Sequence, residues 1–156
     1  MRLALFQPDI PQNLGGALRL CACLAVNLEI IEPCGFPLTD RAIRRVAMDY
    51  AAMARVARHD SWDRFSASDA RGERLVLFTT RAAQTFTTFD FRAGDVLLFG
   101  RESAGVPEAV HAAADARLVI PIAPPARSLN VVAAAAMALT EALRQTNGFP
   151  DPASAR

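Results

Sequence analysis

Five short runs of this chain, Leu3–Phe6, Leu28–Ile31, Arg74–Thr80, Asp95–Phe99 and Leu118–Ile122, are apolar almost throughout, and helical patterns separate them. A strand that alternates apolar with polar residues lies on one face of a core. A strand apolar on both faces must be covered on both. Interleaved with helices, such strands predict an α/β fold with a mostly parallel sheet and helices on both faces. Further helices are predicted over Asn13–Ala25, from Thr39 or Asp40 to about Ala47, from Ser61-Trp62, and from Ser128 to about Arg144, the last stopping before Asn147-Gly148. Val56 marks a further short strand. Residues 1–150 read as one domain and 151–156 as a short tail.

Composition narrows the function classes. The chain is 52% apolar and carries a net charge of +1, which predicts a globular protein rather than a disordered one. A domain holding nucleic acid by charge alone is usually strongly basic. Any RNA contact here must therefore come from local clusters of charge or from two subunits. Cys21, Cys23 and Cys34 have no histidine at zinc-ligand spacing and read as buried or half-buried thiols, not a metal site. No run reaches the ~20 apolar residues of a membrane span, and Met1–Pro8 is too short for a signal peptide. The expected location is the cytoplasm.

In a doubly covered parallel sheet, ligands gather beyond the carboxyl ends of the strands. Three segments fall there: Pro8–Arg19, Gly100–Pro107 and Pro121–Asn130. In the first, Arg19 is the one charge between Leu14 and Ala25. A charge on an otherwise apolar helix must be paired or face a polar cleft. It is either a structural ion pair or a guanidinium fork aimed at a phosphate or carboxylate. Asn13 is either a helix cap or a site residue. The second segment runs from a buried strand into Gly100-Arg101-Glu102-Ser103-Ala104-Gly105. It lacks both the phosphate-loop ending and the dinucleotide fingerprint, so a nucleotide-binding oxidoreductase or NTPase is disfavoured and a plain turn stays open. In the third, Ser128 is a candidate N-cap with Asn130 in the first helical turn. The helix behind it, Val131–Leu139, carries no charge on any face. A helix apolar all round needs cover on every side, which predicts a homodimer, with Ala135 and Leu139 as partner-facing candidates.

Together the three segments resemble the motifs of the SPOUT methyltransferases, in their SpoU-like branch. Asn13, Gly15 and Arg19 match the first motif. Gly100, Glu102, Gly105, Val106 and Pro107 match the second. Ile120-Pro121-Ile122 with Ser128-Leu129-Asn130 match the third. Ile31-Glu32-Pro33-Cys34-Gly35-Phe36-Pro37-Leu38, with Arg44-Arg45 and Asp49-Tyr50, is similar to the small tRNA (cytidine/uridine-34)-2′-O-methyltransferases, and the similarity covers nearly the whole chain.

This resemblance implies a deep trefoil knot near the C-terminus. It also implies S-adenosylmethionine bound against Phe78, Gly100, Ile120, Ser128 and Leu129, and 2′-O-ribose methylation of tRNA at the wobble nucleotide. Arg19, Asn13, Glu102, Ser128 and Asn130 are the implied catalytic set. Other RNA positions and a non-catalytic RNA-binding relative are the competing readings. Two departures from the family pattern stand out. Val132 occupies the place of a frequent serine, and Cys23-Leu24-Ala25 the place of Asn-Thr-Gly.

Overall fold

A computed structural model describes residues 1–39, 41, 43, 50 and 53–151. Of the helix expected from Thr39 or Asp40 to about Ala47, Thr39, Arg41 and Ile43 are described, the Ile43 N–H donating to the Thr39 carbonyl at 2.9 Å, while Arg44-Arg45 and Asp49 lie outside the described residues. In chain order the elements are β1 (Arg2–Phe6), α1 (Pro11–Leu24), β2 (Asn27–Ile31), β3 (Val56–His59), α2 (Trp62–Ser66), β4 (Leu75–Phe78), β5 (Gln84–Thr85), β6 (Val96–Phe99), α3 (Glu108–Ala113), β7 (Ala116–Val119) and α4 (Val131–Thr146), with short 3₁₀ turns at Asp69–Arg71 and Phe86–Thr88.

All seven strands join one sheet in the order β3-β2-β1-β6-β4-β7-β5, and each pairing is parallel. The two-sided burial expected from the apolar runs is visible residue by residue. Along β1, Leu3 and Leu5 enter one hydrophobic cluster with α1 and α4, while Ala4 and Phe6 enter a second with α2 and α3. The same alternation divides Val76 and Phe78 from Leu75 and Leu77, and Leu97 and Phe99 from Val96 and Leu98. This is the period of two that a strand imposes, filled on both sides.

Several elements depart from expectation. Helix α1 starts at Pro11, with Ile10 as N-cap, because proline's fixed φ and missing N–H suit the first helical position. Strand β7 is shorter than the apolar run suggested, ending at Val119. Strand β5 and helix α3 carried no clear signal, being 2 and 6 residues long. Helix α4 begins at Val131, and Asn130 rather than Ser128 is its cap: the Asn130 side-chain oxygen accepts from the Val132 and Ala133 backbone N–H groups at 2.9 and 3.3 Å. Ala135 and Leu139, expected to face a partner, are fully buried in the chain's own core. The exposed side of α4 runs instead through Ala133, Met137 and Thr140. Cys21 is buried and Cys34 half-buried as expected, but Cys23 is exposed. Burial pushes the Cys21 thiol up to about 12, and burial followed by the Glu32 charge pushes Cys34 up to about 11.

Helices α1 and α4 meet through a small-residue contact. A Cβ on Gly16 would lie 3.0 Å from a Val132 methyl. The valine that replaces the family's frequent serine is thus a packing residue against the first motif's helix.

Candidate active site

The carboxyl ends of β4, β6 and β7 and the start of α1 surround a cavity of about 430 Å³. That is within the roughly 300–1,000 Å³ typical of small-molecule sites. One wall is apolar, with Phe78 and Phe99 stacked at 4.9 Å beside Ile120 and Val131. Phe78, Gly100, Ile120, Ser128 and Leu129 all line it, as do Asn13, Glu102 and Asn130. At the mouth, Ile10 and Leu129 are each 41% exposed.

The glycine loop owes its shape to two backbones in contact. Arg101 and Gly105 exchange backbone hydrogen bonds of 2.9 Å in both directions. A Cβ on Gly100 would stand 2.5 Å from the Gly105 carbonyl carbon, a distance no side chain tolerates. Gly105 itself takes φ +68°, the left-handed region open to glycine. The spacing of the two glycines is therefore a steric requirement, and the plain-turn reading gives way to a closed loop forming part of the cavity wall.

Within this wall, side chains from all three sequence segments join into one hydrogen-bonded chain. Asn13 Nδ2 donates to Glu102 Oε1 at 2.9 Å. Asn130 Nδ2 donates to Asn13 Oδ1 at 2.9 Å, and Asn130 Oδ1 accepts from the first N–H groups of α4. Each amide is locked in one orientation, because a carboxylate accepts only and a helix N-terminus donates only. Asn13 is thus not a cap. It lies in the first turn of α1 and hands the polarity of Glu102 on to Asn130. The second Glu102 oxygen, Oε2, accepts the Asp9 backbone N–H at 3.0 Å.

Arg19 stands apart from this group. Six residues beyond Asn13 on a helix carries it about 9 Å along the axis and roughly 240° around. Its side chain is exposed, with the guanidinium 5.0 Å over the Tyr50 ring, and it does not line the cavity. Asp9 is not among the residues that the sequence motifs single out, although it closes the Pro8–Asp9 exit of β1 and contacts Glu102. Its sequence signal is an acid placed just past a strand end. Among the described residues no group of three or more His, Cys, Asp or Glu could hold a metal ion, and no helix is long and apolar enough to cross a membrane.

The sequence matches the SpoU rRNA methylase family over residues 1–140. It is 62% identical over 148 residues to a tRNA (cytidine(34)-2′-O)-methyltransferase of Beijerinckia indica, covering 94% of this chain and 92% of that one. A protein of the same name from Escherichia coli K12 is 35% identical over 152 residues, with 96% of each chain covered. Among solved structures, one described as giving insights into the 2-OH methylation of C/U34 on tRNA superposes with a TM-score of 0.83 at 41% identity, covering 92% of this chain and 89% of that one. A SpoU methyltransferase from Streptomyces viridochromogenes, solved with AdoMet, gives a TM-score of 0.79 at 27% identity, covering 93% of this chain and 60% of that one.

Proposed function

Because the chain belongs to the SpoU methylase family, we propose that it transfers the methyl group of S-adenosylmethionine to the ribose 2′-hydroxyl of the wobble nucleotide, cytidine or uridine 34, of tRNA. One observation carries the reading: the hydrogen-bonded chain Glu102–Asn13–Asn130, drawn from all three motifs, lies along a cavity of cofactor size.

The residues present suit that cofactor. The stacked Phe78 and Phe99 with Ile120 offer an apolar face for a flat base. Gly100 lets backbone come close to a ligand, and the loop Pro121–Asn130 supplies Ser128 and Leu129 to the opposite wall. When bound there, the sulfonium supplies an electrophilic methyl carbon. The chain's own residues do the rest. A ribose hydroxyl is a poor nucleophile and must be aligned behind that carbon and relieved of its proton as the bond forms. The Asn13 and Asn130 amides, fixed by Glu102 and by the α4 N-terminus, present a preset polar edge that orients the ribose without reorganising.

A guanidinium offers N–H donors and no acceptor, so Arg19 is not assigned the proton. Its place on the exposed flank of α1, outside the cavity, suits the other role, gripping an RNA phosphate so that the hydroxyl enters in register. In this reading the protein works in the cytoplasm as a homodimer, covering the exposed side of α4 at Ala133, Met137 and Thr140. The segments 100–130 and α4 form the trefoil knot that the family resemblance implies.

The test is Arg19→Ala, measured for melting temperature, cofactor affinity and single-turnover methylation of tRNA. Methyl transfer is expected to be abolished, with folding and cofactor binding kept. Arg19→Lys should restore little, since an ammonium lacks the bidentate fork. A variant that melts early yet still methylates tRNA would make Arg19 structural, and failure of the unaltered protein to bind S-adenosylmethionine or its demethylated product would overturn the enzyme reading.

A further inference from the structure

Glu102 heads the chain of amides, so whatever fixes Glu102 fixes the site. Two of the groups that hold its loop belong to Asp9, at the exit of β1. The Asp9 backbone N–H donates to Glu102 Oε2 at 3.0 Å. One carboxylate oxygen, Oδ2, accepts from both the hydroxyl and the backbone N–H of Ser103, the residue after Glu102. Asp9 is itself backed by the loop that follows β2. The Gly35 N–H donates to the Pro8 carbonyl at 2.9 Å, and a Cβ on Gly35 would lie 2.6 Å from Asp9 Cβ and 2.9 Å from its Cα. Only glycine lets the two loops touch there. The segment Ile31–Leu38, singled out in the sequence but not lining the cavity, thereby acquires a structural role as the backstop of Asp9.

We infer that Asp9 is a positioning residue for methyl transfer, clamping the glycine loop through Ser103 and its own N–H so that Glu102 holds Asn13 and Asn130 in their working orientation, with Gly35 pressed against its back. The inference rests on the function proposed above. The Ser103 hydroxyl and backbone N–H both donate to the Asp9 carboxylate, so the clamp requires an acceptor at this position. Asp9 does not line the cavity. Its effect therefore falls on the geometry of the reacting groups rather than on ligand contacts, and misplacing such groups by about 1 Å can cost on the order of 10²-fold in rate.

Single-turnover methylation at saturating cofactor and tRNA is compared in the unaltered protein, Asp9→Ala, Asp9→Asn, Glu102→Ala and the double variant Asp9→Ala/Glu102→Ala. The rate of Asp9→Ala is expected to fall by about 10- to 100-fold, while cofactor affinity and KM for tRNA stay close to those of the unaltered protein. Asp9→Asn should recover most of the loss, because its amide oxygen still accepts from Ser103. The double variant should be no slower than Glu102→Ala alone, since both substitutions break one linked unit. Full rate in Asp9→Ala, losses that multiply in the double variant, or a rate that simply tracks a lowered melting temperature would each overturn the inference. Backbone hydrogen exchange on the ligand-free protein supplies a readout without turnover. The Ser103 and Gly105 amides should exchange faster in Asp9→Ala, and unchanged exchange overturns the proposal whether or not any RNA is methylated. An unaltered protein that leaves tRNA unmethylated would instead remove the function, and exchange would then decide the clamp alone.

Discussion

The amino ends of the sheet and the cavity wall at its carboxyl ends are built on the same strands and satisfy their polar groups by different means. At the amino ends, charges are paired. Asp95, 1% exposed, accepts from Arg74 Nε and Nη2 at 2.7 and 2.6 Å and from the Arg92 N–H at 2.8 Å. Beside it, Asp115 takes the Leu75 N–H at 2.7 Å and pairs with Arg71 at 2.9 Å. At the carboxyl ends, neutral amides and glycine backbone surround the cavity, with Glu102 tied to N–H donors rather than to a cation. An ion pair satisfies itself and leaves nothing for a visitor. An amide chain fixed at both ends keeps its outer edge available. The difference separates holding the fold from serving a ligand, and it gives substitutions at the two ends different signatures.

The largest expected effect is at the amino end. Asp95→Ala takes the buried carboxylate from the Arg74 guanidinium, leaving it the Asp90 carbonyl and the Phe89 ring, and breaking such a pair costs up to about 3–5 kcal/mol. Chemical denaturation should register that loss, while titration of the folded protein with S-adenosylmethionine should give an affinity close to that of the unaltered chain. A large loss of affinity with little loss of stability would dissolve the distinction between the two ends.

A smaller effect, of opposite character, is expected from Gly100→Ala. The new methyl group meets the Gly105 backbone at 2.5 Å, so the loop must open. Cofactor affinity should fall by about tenfold or more, roughly 1.4 kcal/mol, with a lesser drop in melting temperature. Calorimetric titration beside a thermal melt reads both. Ordinary binding by this variant would mean that the loop closure shapes nothing the ligand feels.

The smallest effect concerns pH. The Asp9 carboxyl lies at about 2 in the folded protein, against about 3.9 in an unfolded chain. A carboxyl lowered by folding contributes stability that is fully present above its unfolded value and is lost as pH falls through the folded one. The clamp should therefore loosen between about pH 4 and pH 2, and Asp9→Asn should flatten that part of the stability profile. Denaturation midpoints taken across this range check it. An unchanged acid limb in Asp9→Asn would show that Asp9 adds nothing to it.

How far each end could be read in advance follows from the range of the interactions. The strands were legible because burial on both faces writes itself into consecutive residues, as in Leu97-Leu98-Phe99. The membership of the cavity was legible because Gly100, Glu102, Ser128 and Asn130 sit in compact motifs at strand ends. The roles of Asn13 and Asn130 were less so. Asn13 could have been a cap, Asn130 was placed in the first turn behind a Ser128 cap, and their joint role depended on a bond between residues 117 positions apart. Asp9 and Gly35 were not legible as a pair, since nothing local marks the contact between two loops. The exposed side of α4 was misjudged because a helix rich in alanine gives little contrast around its circumference, so Ala135 and Leu139 could not be told from Ala133 and Met137.

Strand β1 lies between β2 and β6, in the interior of the sheet, and its register with β6 pairs Arg2 with Val96. Synthesis must therefore run 94 residues past Arg2 (96 minus 2) before that neighbour exists. At ~5–20 residues per second this takes roughly 5–20 s. During that time one edge of an apolar strand has only β2 beside it, and exposed strand edges invite pairing with other chains. A nascent chain of this topology therefore carries an interior apolar strand whose β6-side edge stays open until residue 99 has emerged.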